Sequence, residues 1–99
     1  MATKKKTAEQ YFIIRTQNAG VHFAKVRSRD GSEAVLDSSR RIWRWYGANT
    51  CSELATTGLD SSKSRVATPV DGHVVLGVIE ILPCTAAAVA TFEAAKWAP

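Results

Sequence analysis

Tyr11-Phe12-Ile13-Ile14-Arg15-Thr16-Gln17-Asn18-Ala19-Gly20-Val21-His22-Phe23-Ala24-Lys25-Val26-Arg27-Ser28 is the stretch that decides the fold. Tyr11–Gln17 is rich in aromatic and β-branched residues, which suit a pleated, half-buried surface. Asn18-Ala19-Gly20 then supplies residues that tolerate positive φ, and so a turn. Beyond it, Val21–Ser28 alternates with a period of two. Val21, Phe23, Lys25 and Arg27 fall on one side, and His22, Ala24 and Val26 on the other. Two such runs around a short turn predict an antiparallel pair of strands.

The pattern continues outward. Asp30-Gly31 is a strong hairpin signal and predicts a third strand at Glu33–Asp37. Ser38-Ser39 is expected to turn the chain again, into a fourth strand at Arg40–Tyr46. Thr50 or Asn49 can cap a short helix from Cys51 to Thr57, with Glu53 at the capping-box position and Gly58 as the stop. Leu59–Ser64 reads as a polar loop. Arg65–Val70 predicts an edge strand, because Pro69 has no N–H for a ladder. His73–Leu82 is almost wholly apolar and predicts a long strand at the centre of the core, ended by Pro83. Thr85 is expected to cap a last helix from about Ala86 to Trp97, with Phe92 facing the sheet. The fold class is therefore α+β, an antiparallel sheet or small barrel-like meander of five to six strands with one short helix and one C-terminal helix. Residues 1–9 read as a flexible basic arm, and 10–99 as a single β-rich domain.

Composition narrows the function classes. Hydrophobic residues make up 45% and charged residues 22% of the chain, as in ordinary globular domains. No apolar run approaches the roughly 20 residues that span a bilayer, and no apolar segment follows Lys4–Lys6 as a secretory signal would require. The net charge is +4, but that lysine run carries three of the excess charges, so the domain itself has little general attraction for nucleic acid. Cys51 and Cys84 read as free thiols, a disulfide between them requiring that the fold bring them together. His22 and His73 are solitary, neither at ligand spacing from a cysteine, so no metal and no cofactor is expected. Gly-x-Ser-x-Gly, a phosphate-cradling glycine loop and His-Glu-x-x-His are all missing, so no catalytic set is expected and the chain reads as a non-enzyme. Glu80, among apolar neighbours, is expected either on the solvent face or beside an arginine.

One segment has the chemistry of a binding surface: Arg40-Arg41-Ile42-Trp43-Arg44-Trp45-Tyr46-Gly47-Ala48. Indole faces can stack on nucleobases, and guanidinium can hold phosphate through paired hydrogen bonds. Alternation would place Arg41, Trp43 and Trp45 on one face and Ile42, Arg44 and Tyr46 on the other. The candidate ligand-binding residues are thus Arg40, Arg41, Trp43, Arg44, Trp45 and Tyr46. Arg15, His22, Lys25, Asn49 and Thr50 are candidates to border the same surface. The same tryptophans equally suit a buried cross-strand pair with arginine stacked on the ring, or an oligomer interface.

The order of motifs adds a resemblance. Ala19-Gly20-Val21-His22, Ser28-Arg29-Asp30-Gly31, Arg40-Arg41-Ile42-Trp43, Trp45-Tyr46-Gly47-Ala48, Ser52-Glu53-Leu54-Ala55, Pro69-Val70-Asp71 and Glu80-Ile81-Leu82-Pro83-Cys84-Thr85 resemble a family of short uncharacterised tailed-bacteriophage proteins. The resemblance covers about residues 11–97. Where that family often has Tyr-Trp, this chain has Arg44-Trp45, which adds a cation beside the ring. The resemblance implies phage origin and action in the cytoplasm of an infected bacterium. Joined to the Arg/Trp block, it sets the leading expectation: a homo-oligomer that sequesters a cyclic-nucleotide immune signal. The alternatives are a virion or assembly component, and a DNA- or RNA-binding protein.

Overall fold

The computed structural model describes residues 10–95. The expected basic arm and residues 96–97 of the expected C-terminal helix lie outside the described residues; the helix itself ends at Ala94, short of the expectation, with Ala95 in extended backbone. The first three strands, β1 (Phe12–Thr16), β2 (Val21–Asp30) and β3 (Glu33–Arg44), form an antiparallel meander. A short helix, α1 (Cys51–Thr56), precedes β4 (Arg65–Val66) and β5 (His73–Val75). These two pair with opposite ends of β3, β4 at Ile42 and Arg44, β5 at Ala34–Leu36. The chain then crosses to the other side of the meander, where β6 (Val78–Pro83) pairs with β1, and ends in α2 (Ala86–Ala94). The result is an α+β fold, an open antiparallel sheet in the order β4-β3-β2-β1-β6, with two helices.

The sheet separates two clusters of buried side chains. Where the helices meet the sheet, Ile13, Phe23, Ile42 and Val66 of the strands pack with Leu54 of α1 and Ala88 and Phe92 of α2. Against the opposite face lie Ile14, Ala24, Ala34, Leu36, Val75 and Val78. Alternation in β2 assigned its faces correctly, with Val21 and Phe23 toward the first cluster and Ala24 and Val26 toward the second. Phe92 meets the sheet as expected, its ring stacked 4.2 Å from Phe23, which in turn stacks 4.5 Å from Tyr11. The caps also form as the sequence suggests. Thr85 accepts from the Ala88 amide, and Thr50 from the Glu53 amide. Glu53 returns a carboxylate oxygen to the Asn49 amide at 2.8 Å, one residue earlier than a strict capping box would have it.

Four expectations need correction. Ser38-Ser39 does not turn the chain. Ser38 takes a positive φ of 50° as the extra residue of a bulge, so the predicted third and fourth strands are one continuous β3. The predicted His73–Leu82 strand is two strands, broken at Gly77, whose φ of +73° suits glycine. Its second half lies at the sheet edge rather than the centre, leaving Ile79 55% exposed, and Leu76, in the break itself, is 65% exposed. That edge is blunted by a bulge at Ile79, where the register against β1 slips, and by Pro83. The predicted Arg65–Val70 strand shrinks to two residues plus a bridge between Ser39 and Val70. Finally, a further irregularity between Ile42 and Arg44 breaks the alternation on which the face assignment of the Arg/Trp block rested.

Candidate functional site

Because β3 is bulged, adjacent residues of the Arg/Trp block do different work. Arg40 turns toward the helices. Its Nε donates to the Ala67 carbonyl at 2.8 Å, and its two terminal nitrogens donate to Phe92 and Ala95 carbonyls at 2.8 and 3.0 Å. Burial pushes its pKa below the ordinary guanidinium value, and no carboxylate pairs with it among the described residues. Arg40 is thus a bolt between β3, the segment after β4 and the end of α2, with its hydrogen-bonding donors engaged inside the fold.

Arg41 belongs to the other face. It lies directly across from His22 of β2, and both side chains donate to one acceptor, the carbonyl of Ala19 in the β1–β2 turn. Gly20, at φ +88°, lies against the guanidinium; a Cβ there would stand 3.1 Å from Arg41 Nε. His73, at the start of β5, brings its ring centre within 5.0 Å of that of His22, edge to face. Its Nδ1 is 2.9 Å from Oγ of Ser39, which the β3 bulge and the bridge to Val70 hold in place. The two histidines that stand alone in the sequence are neighbours in the fold.

These groups line a cleft of about 550 Å³, within the usual size range for small-molecule sites. Val70, Val74 and Leu76, each more than half exposed, form an apolar rim around it. Among the described residues no aspartate or glutamate lines it. Burial is the main reason the His22 pKa falls to about 4. The Ala19 hydrogen bond opposes the fall, while His73 and Arg41 deepen it. His22 is therefore neutral at pH 7, and its Nδ1 is buried without a partner among the described residues. Ser39 beside His73 invites comparison with a nucleophile–base pair, but the serine is only 2% exposed. A hydroxyl so enclosed orients the imidazole rather than attacking a substrate.

A second cleft, of about 340 Å³, collects other predicted residues: Arg15, Trp45, Asn49 and Thr50, with Cys51 and Glu80. Trp45 packs against the helical core and donates from Nε1 to the Ala48 carbonyl at 3.2 Å. Arg15 and Glu80 approach to 3.8 Å with both side chains substantially exposed, so Glu80 is at once solvent-facing and beside an arginine. Cys51 and Cys84 are free, and burial pushes both thiols up, Cys84 to about 12.

The remaining candidates are dispersed. Lys25 lies over the Tyr11 ring at 5.7 Å, away from both clefts. Tyr46 is 47% exposed, its backbone tied to Ser64 and Asp60. Arg44 is exposed and directly opposite Arg65 of β4. The side chain of Trp43 lies outside what the structure describes. The predicted surface thus resolves into two clefts, with Arg41 and His22 in one and Arg15, Trp45, Asn49 and Thr50 in the other. Sequence reasoning missed Ser39, His73 and the apolar rim. Only the pairing of β5 with β3 brings them to Arg41, and local pattern carries no trace of that pairing.

Residues 9–92 match the model of a family described as a domain of unknown function, DUF6948. No curated protein and no solved structure matches the chain. Among the described residues no helix is long and apolar enough to cross a membrane.

Proposed function

We propose that this chain, which belongs to the DUF6948 family, is a non-enzymatic accessory protein that captures a small nucleotide-type anion in the Arg41–His73 cleft. The observation that carries the reading is electrostatic. Arg41 lines a cleft to which no described residue brings a carboxylate, held there by the same carbonyl that anchors His22. Its guanidinium keeps donors for a phosphate, and Val70, Val74 and Leu76 offer an apolar wall to a base. The second cleft is the poorer host for an anion, because Glu80 lines it and Arg15 already faces that carboxylate.

Joined to the phage resemblance of the sequence, this chemistry supports sequestration of a cyclic-nucleotide immune signal by a homo-oligomer in the infected cell. Calorimetry against cyclic di- and trinucleotides and ordinary mononucleotides, in buffer with a chelator, tests it. At least one member is expected to bind, with affinity lost in Arg41→Ala. Silence across the panel from folded protein removes the proposal.

One observation favours nucleic acid as a second reading. Arg44 and Arg65 are direct cross-strand neighbours, an arrangement that costs stability unless an anion lies between them. That reading requires binding of single- or double-stranded nucleic acid that weakens steeply with salt. It fails if Arg44→Ala leaves such binding unchanged.

A further inference from the structure

Given anion capture in the Arg41 cleft, on which this rests, we infer that the ligand carries two linked phosphate groups, as a dinucleotide does, with Arg44 and Arg65 holding the second. The faces of the sheet bring these arginines together. Val66 of β4 is fully buried in the helical core, opposite Ile42 of β3. Residues that flank a buried strand position point to the other face. Arg65 and Ala67, on either side of Val66, therefore share the face away from the helices, as does Arg41, next to Ile42. Ala67 agrees with this placement: it lines the same cleft as Arg41, and its amide donates to the Arg41 carbonyl at 2.9 Å. Arg44 lies directly across from Arg65 and, as its cross-strand partner, on that face too.

The spacing excludes a single phosphate. Arg65 is two residues along from Ala67, which faces Arg41, so Arg41 and Arg65 are diagonal neighbours with Cα atoms about 7–8 Å apart. The Arg41 guanidinium leans the other way, toward the Ala19 carbonyl, so the charged heads are further apart still. One phosphate cannot reach both ends, but two joined through a nucleoside can. Ala67, small and uncharged, lies between the ends and leaves room for the connecting sugar. Arg44 and Arg65 are both exposed, and neither makes an ion pair among the described residues. Like charges directly opposite each other work against the pairing of their strands. A phosphate between them relieves that repulsion and can accept paired hydrogen bonds from a guanidinium. Once the first phosphate is seated at Arg41, the tether presents the second to Arg44 and Arg65 at a high effective concentration.

Calorimetry with the full chain compares, for adenine and for guanine, the nucleoside monophosphate, the linear 5′-phosphorylated dinucleotide and the cyclic dinucleotide. The last two separate an open strand fragment from a closed ring as the source of the paired phosphates. At least one of them is expected to bind at least about tenfold tighter than the monophosphate of the same base. In Arg44→Gln/Arg65→Gln, shown to be folded by circular dichroism, that advantage should fall below about threefold, because the second phosphate loses its partners. Amide shifts in the wild type need no variant: the favoured dinucleotide should move Arg44 and Arg65, and the monophosphate should leave them in place. Equal wild-type affinity for one phosphate and two overturns the inference while anion capture stands. So does an undiminished advantage in the folded double variant. Affinity that keeps rising with each nucleotide up to a decamer also overturns it, in favour of a nucleic-acid track. Silence from every compound instead removes the capture reading itself.

Discussion

Replacing Arg40 by methionine separates two adjacent arginines that look interchangeable in the sequence. Arg40 donates to three main-chain carbonyls, those of Ala67, Phe92 and Ala95, and so ties α2 to β3. Methionine matches much of the length and apolar stem but can satisfy none of the three acceptors. At about 1 kcal/mol for each hydrogen bond lost, the gross cost is about 3 kcal/mol. Stranded part-buried carbonyls push it higher, and relief from burying a charge pulls it back. A net loss of about 2–4 kcal/mol is expected, read from urea denaturation of the two proteins. For a domain of this size, each kcal/mol moves the melting temperature by roughly 4–8 °C. Arg40→Lys should fall between, since one ammonium cannot reproduce the planar fork. Because no carboxylate is involved among the described residues, the loss should change little with salt. A loss below about 1 kcal/mol would refute the reasoning, as would a folded Arg40→Met that fails to bind a ligand the wild type binds.

Other consequences follow from the same geometry. His22 ties stability to pH. Its folded pKa of about 4 lies below the ordinary imidazole value of 6.5, so the unfolded chain binds more protons between these values. Stability should be full above about pH 6.5 and fall by up to about 3 kcal/mol as pH drops toward 4; His22→Gln should flatten that slope, and a profile level over this window in the wild type would contradict it. The two thiols should differ toward an alkylating agent. Cys51, only partly buried, should react before Cys84, whose thiol is pushed up to about 12. Mass spectrometry of the native protein after timed exposure checks the order, and equal rates would refute it. Gly20→Ala should reduce stability, since φ there is +88°, and should also displace the Arg41 guanidinium, which Arg41→Ala alone would not mirror in thermal melts.

Much of the fold was legible because it rests on short-range pattern. The strand composition of β1, the alternation of β2, the Asp30-Gly31 turn, the Thr50 and Thr85 caps and the docking of Phe92 all follow from spacing and residue type. What escaped depends on bulges and long-range pairing. Ser38-Ser39 has the composition of a turn, yet one residue at positive φ suffices to keep β3 continuous. An apolar run such as His73–Leu82 looks central, but nothing in its periodicity says that Gly77 splits it or that β6 lies at an edge. The same limits shaped the site. Arg41 and His22 were named from chemistry, and the turn between β1 and β2 holds both. Arg40 was named for the same chemistry, but three carbonyls claim it. His73 and Ser39 became visible only when β5 and the Val70 bridge placed them beside β3.

Amide chemical-shift mapping with a bound nucleotide is the most direct measurement of where an anion lodges. The account predicts that titrating the tightest-binding cyclic nucleotide shifts the amides of Ala19, Gly20, His22, Ser39, Arg41 and His73, and that these shifts vanish in Arg41→Ala. Shifts gathered instead on Arg15, Trp45, Asn49 and Thr50, or a pattern unchanged by Arg41→Ala, would contradict it.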